Sequence, residues 1–322
     1  MAAIFQLSRL EALKPVFDKL PPLVWTYVVP MVSTSVGILP SASPLYRGMT
    51  RYLLPASLVL LVLSSEIRSV GRLGRTALVV MAAAVTGILA GAVVAFLAVG
   101  HWLPDDAWQA VGALTATWIG GSTNLVAVAT ALGMRPELQG VTIVVDTIVG
   151  YSWMAVLIML SGYQEAFDRW NHADRTTIDE VGARLAALPG RAPRPGTVTE
   201  YTLMVGLALG LTAACLKVGS LLPPVGQVLT AFSWAIILLT TIAILLSLTP
   251  LARLEGAGAS TLGYAGFYLL LASVGAQADL RQIVSHPAFV LLGVIMIAVH
   301  ANVLFAAVLL LRTPLFFFGA AS

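Results

Sequence analysis

Apolar runs close to twenty residues long, separated by short polar joints, occupy most of the chain between residues 23 and 311. A helix needs about 20 mostly apolar residues to cross the hydrocarbon core of a bilayer. The runs predict spans near 23–40, 50–64, 76–99, 108–132, 139–161, 201–222, 227–249, 261–277 and 288–311, with a last apolar segment from Thr313. A transmembrane barrel would instead show short segments of alternating apolar and polar residues. The expected fold is therefore all-α, a polytopic membrane protein with about nine to ten spans. Residues 162–200 make the long hydrophilic stretch, with Arg169, Arg175, Asp179, Glu180, Arg184, Arg191 and Arg194. Its Pro189, Pro193 and Pro195 suit a connecting loop between two halves.

Composition agrees with this reading. Of 322 residues 58% are hydrophobic and only 10% charged, where a soluble domain carries about 25% charged residues. The net charge of +3 is explained by basic loops at a membrane surface, and no nucleic-acid partner is expected. Cys215 is the single cysteine, so no intrachain disulfide can form. Ile4, Phe5, Leu7, Leu10, Leu13 and Phe17 give residues 1–22 the pattern of an amphipathic segment lying on the bilayer.

The two halves carry an internal repeat. Tyr52-Leu-Leu-Pro-Ala-Ser57 returns as Tyr268-Leu-Leu-Leu-Ala-Ser273. Each is followed by acid–aliphatic–arginine, Glu66-Ile67-Arg68 and Asp279-Leu280-Arg281, and preceded by a tryptophan, Trp25 and Trp234. The expected organisation is a first membrane repeat over 23–161, the loop over 162–200 and a second repeat over 201–322. Extending the match sets Phe318-Gly319-Ala320-Ala321-Ser322 opposite Ile119-Gly120-Gly121-Ser122, so the second repeat is expected to be incomplete. The matched segments lie six spans apart, and an inverted repeat needs an odd number, so either one segment is re-entrant or the repeat is direct. The segment at 50–64, short and headed by Arg51, is the one expected to depart from a full span.

The chemistry concentrates at Thr115–Ala131, whose middle reads Gly120-Gly121-Ser122-Thr123-Asn124. Paired glycines weaken a helix. In hydrocarbon a broken helix survives only where protein or a polar cavity satisfies its backbone, and broken helices build the binding sites of secondary transporters. The bland alternative is close helix packing through small residues. Asp146 lies well inside the next apolar run. A carboxylate there costs about 2.5–3.5 kcal/mol on the insertion scale and is usually functional. Thr147 follows it directly, and Tyr151 lies in the neighbouring turns. Further candidates are His300 and Asn302, which interrupt the apolar run 294–311, and Gln277 at the end of the run before it. Gly87-x-x-x-Gly91 and Gly206-x-x-x-Gly210 read as packing faces.

Trp118-Ile-Gly-Gly-Ser-Thr-Asn124, Val144-Val-Asp146-Thr147 with Gly150-Tyr-x-Trp153, and Thr249-Pro250-Leu-x-Arg253-Leu-Glu255-Gly256 resemble the YjcL-like family, as do Gly275-Ala-Gln-Ala278 and His300. This is a bacterial and plastid group of membrane proteins defined only as a domain of unknown function. The resemblance implies a grouping with cation–proton antiporters and bile-acid-type sodium symporters, whose two repeats cross by broken helices near the bilayer centre. It would place Ser122, Thr123 and Asn124 on the first crossing helix and Asp146 on the helix after it. Similar sequences have an extra N-terminal span and continue past Ser322 through a second broken helix and a final span.

The expected function is ion-coupled secondary transport of a small organic anion or cation. Gly120, Gly121, Ser122, Thr123, Asn124, Asp146, Thr147, Gln277, His300 and Asn302 are the candidate site residues. A sodium ion would sit at Ser122, Asn124 and Asp146, or a proton would couple instead; no other cofactor is expected, and the chain is not expected to be an enzyme. The alternatives are an intramembrane serine hydrolase built on Ser122 and His300, and a non-transporting scaffold or incomplete fragment. The expected setting is the bacterial inner membrane, with the lipid bilayer as partner, an unidentified small-molecule substrate and a homodimer as the oligomeric state.

Overall fold

The computed structural model describes residues 22–65, 74–173, 194–226, 228–277 and 287–322, together with residue 6. The expected surface helix over the first 22 residues falls almost wholly outside these. So do Glu66-Ile67-Arg68, Asp279-Leu280-Arg281 and the loop residues Arg175, Asp179, Glu180, Arg184 and Arg191.

Among the described residues every named element is helical, as expected of an all-α chain, and Val225 and Leu229 form an isolated β-bridge. Among the described residues four helices have the length and apolar character to cross a membrane: Arg75–Trp102, Pro136–Ser161, Val198–Gly219 and Ala288–Leu310. A fifth crossing is counted if Ala231–Ser247 and Pro250–Ala257, bent by 91°, act as one broken span. The expected nine to ten spans are not reached by this measure. The difference lies in short helices, which hydropathy alone cannot separate from full spans.

The chain divides into two compact units. The first comprises Met1–Ile67, Val126–Gly140 and Arg191–Ser285; the second comprises Arg68–Leu125, Val141–Gly190 and His286–Ser322. Each unit therefore draws on both halves of the sequence.

The first unit opens with α1, Pro22–Ser35, which carries Pro30 inside it. Then α2 (Pro44–Gly48) runs into a π-helical segment, Met49–Leu53, and on into α3, Leu54–Leu63. The segment expected to depart from a full span thus contains a change of helical register. π turns are uncommon and recur at functional sites. The unit also contains α9 (Val198–Gly219), α10 (Ala231–Ser247) and α11 (Ala259–Gly275). Thr197 starts α9 with a reciprocal capping box to Glu200, and Thr230 caps α10 by accepting from the Ser233 N–H at 3.1 Å. Such caps satisfy backbone donors that a helix start leaves without partners.

The Thr249–Gly256 motif is a corner between α10 and α11. Thr249 accepts from Leu251 N–H, Pro250 begins the 3-10 turn and Gly258 takes φ +94°. Glu255 then accepts from the Ser260 backbone N–H at 2.9 Å and the Ser260 hydroxyl at 2.6 Å, fixing the start of α11. The helix α11 packs on α3, with Gly266 against Ser57 and Gly263 against Leu60 and Leu61. Tyr27, Met31, Leu54, Leu63, Met204, Leu239, Phe267 and Leu270 are fully buried in this unit.

The second unit is built around α4 (Arg75–Val99) lying along α12 (Ala288–Leu310). A Cβ at Gly87 would approach the His300 backbone to 3.1 Å, and one at Gly91 would reach the Met296 carbonyl oxygen at 2.5 Å. The first Gly-x-x-x-Gly pair is therefore a packing face, as expected. The second is not one within this chain: Gly206 and Gly210 on α9 have nothing within 4 Å of an added Cβ. The unit also contains a 3-10 turn at Gly100–Trp102, α5 (Ala107–Gly120), α8 (Gln164–Trp170), α13 (Leu315–Ala321) and the part of α7 (Pro136–Ser161) from Val141 onward. The helix α6 (Ser122–Ala131) begins in this unit and ends in the first.

One buried acid lies at the edge of the stretch expected to be a solvated loop. Asp168 on α8 is 3% exposed and accepts from the Leu315 backbone N–H at 2.9 Å. Asn171 donates to the Val308 and Thr313 carbonyls beside it. Together they hold α8 to the turn between α12 and α13, over a cluster of Val308, Leu315, Phe317 and Phe318. Asp168→Ala removes the acceptor and leaves the Leu315 N–H buried, a change worth about 1–3 kcal/mol. Thermal unfolding of the purified variant is expected to show a lower midpoint; an unchanged midpoint would mean that the bond contributes nothing.

Candidate functional site

Broken-helix geometry is set at Gly121. α5 ends at Gly120, Gly121 adopts φ +91° and ψ 167°, and α6 starts at Ser122. This region of backbone space is open essentially to glycine alone. The Gly121 N–H still bonds the Thr117 carbonyl at 2.6 Å, and Asn124 N–H bonds the Gly121 carbonyl at 2.9 Å, closing the first turn of α6. The last carbonyls of a helix have no further turn to bond them, so a break inside an apolar run concentrates oxygen ligands and N–H donors at one point.

That break borders a groove of about 560 Å³ in the second unit. Its walls come from α5 (Thr117, Trp118), the break (Gly121, Ser122), α7 (Asp146, Gly150, Tyr151, Trp153), α12 (Ile297) and the α13 end (Gly319, Ser322). Asp146 is the single carboxylate among the lining side chains, and no Lys, Arg or His lines the groove. The Trp118 indole N–H donates to Asp146 Oδ1 at 2.9 Å, and the Thr117 side chain is a second hydrogen-bonding partner of the carboxyl. Gly150, one turn beyond Asp146, leaves that face of α7 open; an added Cβ would stand 3.9 Å from the Trp118 nitrogen and 4.0 Å from Asp146 Oδ1. Trp118 is itself positioned by α12. A Cβ at Gly293 would meet Val145 at 2.9 Å, Val149 at 3.1 Å and the Trp118 ring at 3.5 Å.

Gly121, Ser122 and Asp146 line this one groove. Gly120 and Asn124 stay beside it, the Asn124 amide covering the place a Gly120 Cβ would take. Thr123 belongs to the first turn of α6 and does not line the groove. Thr147 is turned to its own helix, its hydroxyl donating to the Ile143 carbonyl at 2.8 Å. Asn302 is exposed and donates to the Ala298 carbonyl at 2.8 Å. Gln277 belongs to the first unit and donates to the Ser273 carbonyl.

His300 is 1% exposed and reaches the groove only through Ser322. Its Nδ1 is 3.1 Å from the Ala84 carbonyl and its Nε2 3.1 Å from Ser322 Oγ. A carbonyl can only accept, so Nδ1 carries a proton. In the neutral ring Nε2 then accepts from the Ser322 hydroxyl, whose oxygen takes the Trp153 indole N–H at 2.7 Å. Both ring nitrogens are engaged, and Ser122 is not among their partners, so the Ser122–His300 contact that a hydrolase would need is not formed.

Trp118 and Thr117 are the partners of Asp146 that the sequence did not single out. Trp118 was visible as part of the Trp-Ile-Gly-Gly motif, but nothing in its spacing linked it to an acid 28 residues later. Among the described residues no group of three or more His, Cys, Asp or Glu could hold a metal ion.

The sequence profile of a family described as "Protein of unknown function (DUF819)" matches residues 1–322. The chain is 26% identical over 286 residues to the "Uncharacterized membrane protein YjcL" of Bacillus subtilis (strain 168), an alignment covering 84% of this chain and 69% of that protein. No solved structure matches the chain.

Proposed function

The chain is a membrane protein and belongs to the DUF819 family of proteins of unknown function, and from that premise we propose that it is a secondary transporter coupled to Na⁺ or H⁺. The observation that carries this reading is Asp146: a carboxyl within an apolar helix, facing a groove at a helix break, with no basic side chain lining that groove. An acid so placed must be neutralised by an ion, a proton or strong donors, because a bare charge in low dielectric is costly. Two donors are present in Trp118 and Thr117, and a bound monovalent cation or a proton completes the neutralisation. Ser122 and the backbone carbonyls at the end of α5 would add oxygen ligands, as discontinuous helices do in transporters.

In this reading the coupling ion binds at Asp146, and the solute, a small organic anion or cation, binds beside the helix break. The chain performs no covalent chemistry. Alternating access would expose the site first to one side of the membrane and then to the other. The setting is the bacterial inner membrane.

The test is direct. Sodium binding to the detergent-purified chain is measured at several pH values, and dissipation of an imposed pH gradient is followed in proteoliposomes. Saturable sodium binding that weakens as pH falls is expected, since Na⁺ and H⁺ compete for one carboxylate. A chain that neither binds sodium saturably nor moves protons would overturn the reading.

A further inference from the structure

A second cavity, of about 570 Å³, is contained wholly in the first unit. Its chemistry is opposite to that of the Asp146 groove. Arg47 and Arg51 line it, one helical turn apart on the stretch that passes through the π segment, and no Asp or Glu does. Thr50, Ser220 and Gln277 add hydrogen-bonding groups to the wall, and Leu216, Phe232 and Val274 make part of it apolar. Glu137, the acid nearest to the cavity in sequence, is not among the lining side chains.

The independent pointer to a ligand is Gln139. It lines the same cavity, is 3% exposed, and its amide nitrogen Nε2 has no hydrogen-bond partner. Buried polar groups in folded proteins are almost always satisfied, because leaving one without a partner is costly. What this nitrogen lacks is an acceptor. What two guanidinium groups attract is an anion, and arginine meets carboxylate and phosphate oxygens through paired N–H donors. All three polar groups therefore call for the same chemistry, an oxyanion, while the apolar wall calls for a hydrocarbon body attached to it. The volume falls in the range of small-molecule sites, about 300–1,000 Å³.

We propose that the cavity bounded by Arg47, Arg51 and Gln139 binds an amphiphilic organic anion, with its oxyanion head on the two arginines and the Gln139 amide and its apolar body against Phe232 and Leu216. The head is a carboxylate or phosphate, carried either by a free organic acid or by a lipid headgroup. This site is separate from the ion site at Asp146 and does not depend on that assignment.

The experiment uses the full-length chain in an uncharged detergent. Its probes are octanoate as a free acid, dihexanoylphosphatidylglycerol as an anionic lipid and dihexanoylphosphatidylcholine as the control of zero net charge. Binding is read by calorimetry and by the thermal unfolding midpoint. Saturable binding of octanoate, falling about 10- to 100-fold in Arg47→Gln and in Arg51→Gln, is expected for a site holding a free acid. The same arginine dependence with phosphatidylglycerol, and none with octanoate, would support the site with a lipid headgroup as its occupant. Arg51→Lys, which retains the charge but not the paired donors, should lose less than Arg51→Gln.

Gln139→Leu separates a binding role from a structural one. It should weaken anion binding while leaving the unfolding midpoint of the ligand-free chain unchanged or higher, because it removes an unsatisfied donor. Asp146→Asn should keep anion binding, and losing it there would overturn the assignment to this cavity. The proposal also fails if neither anion binds, or if binding persists unchanged in the Arg47→Gln, Arg51→Gln double variant.

Discussion

Asp146→Asn is expected to abolish saturable sodium binding and pH-coupled transport while leaving the chain folded. Asparagine is the same size as aspartate and retains a side-chain oxygen able to accept the Trp118 indole N–H, now held at 2.9 Å by Oδ1. What it removes is the negative charge. No other acid lines the groove, so no neighbour can substitute. An interaction with a charged group is worth about 1.5–3 kcal/mol, which predicts a loss of affinity of about ten- to a hundredfold. The unfolding midpoint distinguishes a lost site from a lost fold. Sodium affinity equal to that of the parent chain would remove Asp146 from any coupling role.

Gly121→Ala carries the second large effect, by a different physical route. An added Cβ at Gly121 meets nothing within 4 Å, so crowding does not oppose it. The backbone does: φ +91° with ψ 167° is a conformation that an L side chain resists by about 1–3 kcal/mol. The variant must either carry that strain or relax the break, and relaxation lets α5 and α6 approach a continuous helix, moving Ser122 away from Asp146. Sodium binding should therefore weaken about tenfold for each ~1.4 kcal/mol of strain expressed at the site. Gly120→Ala is the comparison, because there an added Cβ collides with the Asn124 amide and the obstacle is a side chain that can turn aside. If Gly121→Ala binds sodium like the parent, the geometry of the break is not what builds the site.

Which parts of this were legible beforehand follows from the range of the interactions. The break at Gly120-Gly121 and the anomaly of Asp146 are local facts, visible wherever a hydrogen-bonding residue stands in an apolar run. The capping box at Thr197 and the proline corner at Thr249 are local in the same sense. The Trp118–Asp146 bond spans two helices, and no periodicity announces it. Hydropathy likewise registers apolar surface but not where a helix stops, so the count of nine to ten spans is not confirmed among the described residues. The helix α6, inside the run 108–132, is only 10 residues long, and so is α3, in the segment already expected to fall short of a full span. The buried Asp168 was concealed by its neighbours, because a charge near a hydrophilic stretch looks solvated until the turn at Leu315 is folded over it. The cavity of Arg47, Arg51 and Gln139 was least accessible of all, since it is assembled from separate segments of the chain.

The two close approaches of α12 differ in what they oppose to change. Gly91 faces the Met296 carbonyl oxygen, whereas Gly293 faces the methyl groups of Val145 and Val149. A side chain gained at position 293 can be accommodated by trimming either valine, so volume there is exchangeable between partners. A peptide oxygen cannot be trimmed by any substitution at position 296. The contact between α4 and α12 is thus closed to compensation, while the one that sets Trp118 over Asp146 stays open to it. Descendants of this sequence could retune the groove through paired changes at 293, 145 and 149 without loosening the helix pair on which it is built.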